Sequence, residues 1–95
     1  MAALPPLTLF SREGCCLCAG LADRLAALPL PPQLQVVDID TDPALKARYD
    51  LEVPVLAVGR SSGLIELPRV PPRLRGDGLE RWLGKALAAL SPPPA

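Results

Sequence analysis

Residues 7–28 read as a strand that runs straight into a helix, with three cysteines at the junction. Leu7-Thr8-Leu9-Phe10 is a short apolar run. Leu17, Leu21, Leu25 and Leu28 follow at intervals of four, four and three, the spacing of one helix face. Between them lies Ser11-Arg12-Glu13-Gly14-Cys15-Cys16-Leu17-Cys18. Cys15 and Cys18, three apart, fall on the same side of the first helical turn. Backbone N–H groups are unpaired there and the helix dipole is positive, so a thiolate is favoured over a thiol. The thiol pKa falls and the sulfur becomes a nucleophile near neutral pH. The second sulfur is close enough to close a disulfide on the first. A Cys-x-x-Cys at a strand-to-helix junction is thus a signal for dithiol redox chemistry.

Other chemistries are narrowed by what the chain lacks. It has 95 residues, enough for one domain (1–95) with one modest core. Hydrophobic residues make up 49%, which is globular rather than disordered. The formal net charge is zero, so nothing electrostatic argues for nucleic acid or an anionic membrane. No apolar run reaches the roughly 18 residues of a membrane span. Residues 1–6 carry no basic residue and no separate apolar core, so a signal peptide is not expected and a cytoplasmic location follows. There is no histidine, which excludes Cys–His pairs, Ser–His–Asp triads and His-ligated zinc. Three cysteines within four positions cannot staple distant segments as a secreted disulfide framework does.

The remaining elements follow from pattern. The first helix spans 15–28 and is stopped by Pro29, Pro31 and Pro32. Leu34 to Ile39 is a second strand, rich in β-branched residues. Two strands joined by one helix form a parallel, right-handed unit. Asp42 is a candidate N-cap with Pro43 in the first helical position, and a short helix runs to Tyr49, which should contact the sheet. Val55–Val58 and Leu64–Leu67 read as a hairpin about a Gly59–Gly63 turn. Residues 68–76 form a basic, proline-stiffened loop. Asp77 and Glu80 resemble a capping box before a last helix over 78–90, with Leu79, Leu83, Leu87 and Leu90 on one face and Trp82 beside them. The core is expected over 7–90, and 91–95 as a frayed tail.

This order, β-α-β-α-β-β-α, with Cys15-Cys16-Leu17-Cys18 after the first strand and Val53-Pro54 before the third, resembles the thioredoxin fold. More closely, Leu9-Phe10-Ser11-Arg12-Glu13-Gly14-Cys15, Val37-Asp38-Ile39-Asp40 and Val53-Pro54-Val55-Leu56 resemble a glutaredoxin-like group of small proteins. The resemblance implies an α/β fold, a four-stranded mixed sheet with helices on both faces. It implies Cys15 as nucleophile and Cys18 as resolving thiol. Pro54 should be cis and face the sulfurs, and the Val53 backbone should pair with a bound peptide or glutathione. Arg12 stands where glutaredoxins carry a lysine. Gly76-Asp77-Gly78 is the nearest equivalent of the glycine pair that holds a glutathione carboxylate. Substrates would be protein or glutathione disulfides, with glutathione as co-substrate, no tightly bound cofactor, no metal, and a monomeric chain. The Cys16-Leu17 spacer departs from the Pro-aromatic pair usual in glutaredoxins.

Two other readings fit the same residues. Three thiolates suit a soft metal or an iron–sulfur cluster, though a closed four-cysteine site would need an outside ligand. A thioredoxin-fold binding module or redox sensor without turnover is the other. Cys16 reads as filler at a variable position, Asp38 and Asp40 as cap and turn residues, and Arg69, Arg73 and Arg75 as a solvated loop.

Overall fold

Strand β1 (Leu7–Ser11) points Leu7 and Leu9 to one side of a sheet and Phe10 to the other, as strand alternation requires. The computed structural model describes residues 4–60 and 63–90. The expected tail at 91–95, the start of the lead-in and the Ser61-Ser62 turn lie outside them. After β1 come α1 (Cys16–Ala26), β2 (Leu34–Asp38), a 3-10 turn (Ile39–Thr41), α2 (Pro43–Tyr49), β3 (Val55–Arg60), β4 (Gly63–Glu66) and α3 (Gly76–Leu90). The sheet order is β2-β1-β3-β4. β1 runs parallel to β2, with Leu9 opposite Val36, and antiparallel to β3, with Leu9 opposite Leu56. β3 and β4 form the antiparallel hairpin, paired out to Arg60 and Gly63. This is the mixed four-stranded arrangement that the resemblance implied.

The larger apolar layer packs Leu7, Leu9, Leu56 and Val58 of the central strands against Leu21 and Leu25 of α1 and Leu79 and Leu83 of α3. Trp82 packs partly buried against the same layer. On the opposite face α2 lays Tyr49 over Phe10, Ile39 and Ala57. The Tyr49 and Phe10 rings stack at 4.6 Å between centroids. The Tyr49 hydroxyl donates to Glu66 Oε2 at 2.7 Å, and the Arg48 Nη2 meets the same oxygen at 2.5 Å. Those two donors hold the Glu66 carboxyl below its usual pKa, the Tyr49 bond first and Arg48 second. Burial, then the neighbouring carboxylate, pushes the Tyr49 phenol upward. Helices therefore cover both faces of the sheet.

Boundaries differ from the pattern where local chemistry intervenes. α1 stops at Ala26, because a residue before proline avoids the helical region and Pro29 therefore turns Leu28 out of the helix. Leu28 is still buried in the larger layer. β2 ends at Asp38, whose carboxylate accepts the Asp40 N–H at 2.9 Å and starts the 3-10 turn, so Ile39 leaves the strand and enters the core. Asp42 caps α2 as expected, accepting the Ala44 N–H at 2.9 Å. α3 begins earlier than its expected start. The Arg75 carbonyl accepts the Leu79 N–H at 3.3 Å, so Asp77 stands in the first turn rather than before it. Its carboxylate there complements the helix dipole in place of a capping box. Among the described residues no helix is long and apolar enough to cross a membrane.

Candidate active site

Cys15 is the residue that caps α1. Its backbone is extended, and its Sγ accepts the Cys18 N–H at 3.2 Å. A sulfur thus fills the place usually taken by a serine or aspartate oxygen at a helix N-terminus. The approach is set by a turn in which the Cys15 N–H donates to the Arg12 carbonyl at 3.2 Å. Gly14, third in that turn, has φ +81°. No atom would obstruct a Cβ at Gly14, so the backbone alone demands glycine. Gly14→Ala should cost about 1–2 kcal/mol, read as a melting temperature lower by roughly 4–8 °C per kcal/mol. Gly14→Asn should lose less, since asparagine tolerates positive φ better.

Cys15 and Cys18 are joined as a disulfide with Cα atoms 5.3 Å apart. The two sulfurs differ in access. Cys18 is buried, at 2% exposure, while Cys15 is half-buried and opens onto a cavity of about 350 Å³. Leu9, Ala19, Ala22 and Val36 give that cavity apolar walls, and Arg12 stands at it. Cys16 is a free, exposed thiol on the same cavity. Leu17 does not join the apolar face of α1. It is 57% exposed, and Cys18, Leu21 and Leu25 are the residues turned inward. A helix face spaced 18-21-25 satisfies the period as well as 17-21-25, and only packing decides between them.

The Val53–Pro54 peptide is cis. Pro54 lines a small cavity of about 90 Å³ with Leu17, Leu21, Arg69 and Val70, on the other side of α1 from the larger one. Leu17 therefore stands between the cysteines and forms one wall of the proline cavity. The Val53 N–H is already used, donating to the Tyr49 carbonyl at 3.2 Å, while the Val53 carbonyl accepts no hydrogen bond among the described residues. The Val53 carbonyl is thus the backbone group with which Val53 can meet a bound strand.

Both Nη atoms of Arg12 donate within the protein. Nη1 reaches Asp50 Oδ1 at 2.6 Å and the Asp50 carbonyl at 3.1 Å, and Nη2 reaches Asp40 Oδ1 at 2.9 Å. The Asp50 and then the Asp40 bonds raise its pKa further. Gly76 and Asp77 line neither the cysteine cavity nor the Pro54 cavity. Gly76 has φ +57° and opens α3, and Asp77 is exposed. The 68–76 loop that leads there is held by Arg24 of α1, whose Nη1 donates to the carbonyls of Pro71 and Leu74. The structure thus gathers Arg12 and both cysteines at one cavity, while Pro54 lines another with Leu17 and Leu21. Sequence reasoning did not anticipate Asp40 and Asp50 as partners of Arg12. Their positions at the ends of β2 and α2 were the only signal. Among the described residues no three Cys, Asp or Glu side chains are grouped so as to hold a metal ion.

Comparison with known proteins agrees with the geometry. The profile of the glutaredoxin-like domain (DUF836) matches residues 6–84. No curated protein matches the chain. Among solved structures, the X-ray structure of a Northeast Structural Genomics target protein from X. campestris is similar, with 34% identity and a TM-score of 0.55. The match covers 84% of this chain and 97% of that one. The fold is thioredoxin-like, and the chain belongs to the glutaredoxin-like domain family.

Proposed function

We propose that the protein is a thiol–disulfide oxidoreductase working through the Cys15/Cys18 dithiol. One observation carries the reading: the half-exposed Cys15 Sγ sits at the cap of α1, accepts the Cys18 N–H at 3.2 Å, and is bonded to a sulfur buried behind it. In the reduced state the same N–H and the helix dipole stabilise a Cys15 thiolate, which lowers the thiol pKa without any histidine. The thiolate attacks one sulfur of a substrate disulfide, R–S–S–R. A Cys15–S–R bond forms and one R–S⁻ leaves. Cys18 then attacks the Cys15 sulfur, closes the Cys15–Cys18 bond and expels the second thiolate. Two electrons pass from the dithiol to the substrate, and the two protein protons end on the two released thiols. The apolar walls of the larger cavity adjoin the reacting sulfurs, and disulfides of proteins or of glutathione are the substrate class. The protein acts on them as a monomer, and glutathione serves as co-substrate.

Burial orders the two steps. The accessible sulfur meets the substrate, and the enclosed one can reach only Cys15. Cys18→Ser should therefore trap the first intermediate. Incubated with a cystine-containing peptide, it should accumulate one covalent adduct at Cys15 by mass spectrometry, where the natural protein releases reduced peptide. An adduct at Cys16 instead, or none while the natural protein is oxidised normally, would overturn the assignment. A redox titration of the Cys15/Cys18 couple against glutathione tests the co-substrate directly.

A further inference from the structure

Three segments around the reactive sulfur meet at one guanidinium. Arg12 lies in the turn whose carbonyl receives the Cys15 N–H. Its Nη1 takes both the carboxylate and the backbone carbonyl of Asp50, at the C-terminal cap of α2 and four residues before Pro54. Its Nη2 takes Asp40, in the turn that follows β2. One side chain therefore ties the turn that presents Cys15 to the segment that carries the proline.

We propose that Arg12 is a positioning residue for exchange: through Asp50 and Asp40 it fixes the spacing between the Cys15 turn and the Val53–Pro54 loop, rather than supplying charge to the sulfur or to the substrate. The inference rests on the oxidoreductase reading above. The carboxylates outnumber the guanidinium they hold, so the cluster carries no net positive charge to offer a thiolate. Both Nη atoms of Arg12 donate to Asp50 and Asp40, so the fork of the guanidinium is turned to the protein. The planar fork also matters. It addresses two carboxylates on separate segments at once, which a lysine ammonium does not reproduce. Spacing is worth a large factor because exchange needs the attacking sulfur in line with the bond it breaks, and a misplacement of about 1 Å costs roughly 100-fold.

The test uses the full chain carrying Cys16→Ser as parent, with two readouts. One is the rate at which the reduced protein exchanges with a cystine-containing peptide. The other is the pH midpoint of Cys15 alkylation by iodoacetamide, which reports the thiolate and needs no aligned disulfide. Arg12→Lys and Arg12→Met should each slow peptide exchange by about 10–100-fold, with the alkylation midpoint unmoved. An Arg12→Lys protein that exchanges at the parent rate overturns the proposal, and so does a midpoint that rises in step with the lost exchange. Asp40→Asn/Asp50→Asn approaches the clamp from the other side. Positioning requires it to slow exchange, whereas a charge role would speed it by freeing the guanidinium, so a faster rate also overturns the proposal. A parent that exchanges with no disulfide would remove the oxidoreductase reading itself, a result distinct from any of these.

Discussion

Cys15→Ser should abolish disulfide exchange, with the rate falling by a factor on the order of 10³ or more, as for loss of a nucleophile elsewhere. A serine hydroxyl in the same place still accepts the Cys18 N–H and caps α1, so the fold should survive and thermal unfolding should change little. The hydroxyl is not ionised near neutral pH, however, and it forms no covalent bond with a disulfide sulfur. The loss is therefore chemical, and it separates the two outer cysteines: Cys15→Ser blocks the first step, while Cys18→Ser permits it and blocks the second. The assay is release of thiol from a cystine-containing peptide, followed beside Cys16→Ser, which should retain turnover because Cys16 takes no part in the disulfide. Cys15→Ser retaining more than about a tenth of the natural rate would mean that another thiol carries the reaction.

The largest effect on stability is expected at Leu83. It is fully enclosed in the layer where α3 meets the central strands. Leu83→Ala removes buried methyl groups and leaves a void that the neighbouring leucines fill only in part, which costs about 2–5 kcal/mol. A domain of this size has roughly 5–15 kcal/mol in total, so much of the margin disappears. The melting temperature should fall by more than about 8 °C, and the urea midpoint should fall with it. Leu51→Ala is the control. Leu51 is 93% exposed, and its replacement should stay within about 0.5 kcal/mol. Equal effects at the two positions would contradict the two-layer packing described above.

Much of this architecture was legible before any coordinates. Strand alternation, leucine spacing and the Asp42-Pro43 start of α2 are local signals, and each produced its element. The misreadings arise where a longer-range contact decides. Leu17 fits the apolar period of α1 yet lies outside the core, because Cys18 takes the inward position beside it. Asp77 followed by Glu80 has the form of a capping box, but the Arg24 anchor on the preceding loop brings the chain into α3 earlier. The site shows the same division. Cys15 and Cys18 stand out by spacing alone. Arg12 stood out too, but not its engagement, because nothing in a linear pattern reveals that Asp40 and Asp50 converge on it from two other segments. The bond from the Val53 N–H to a carbonyl four residues earlier is likewise invisible in a linear pattern.

The unequal thickness of the two apolar layers has a dynamic consequence. Among the described residues the face under α2 holds four buried side chains, Phe10, Ile39, Tyr49 and Ala57, and α2 itself is seven residues long. So short a helix has little stability of its own. Elements with few enclosed contacts open at lower free energy than the global transition, and their amides exchange with solvent first. Asp50 sits at the end of that helix, so an excursion of α2 also loosens the Asp50 side of the Arg12 clamp, while Asp40 keeps its hold. The loop after α2 would then breathe on the timescale of α2 fraying, while the β1–β3 platform stays closed.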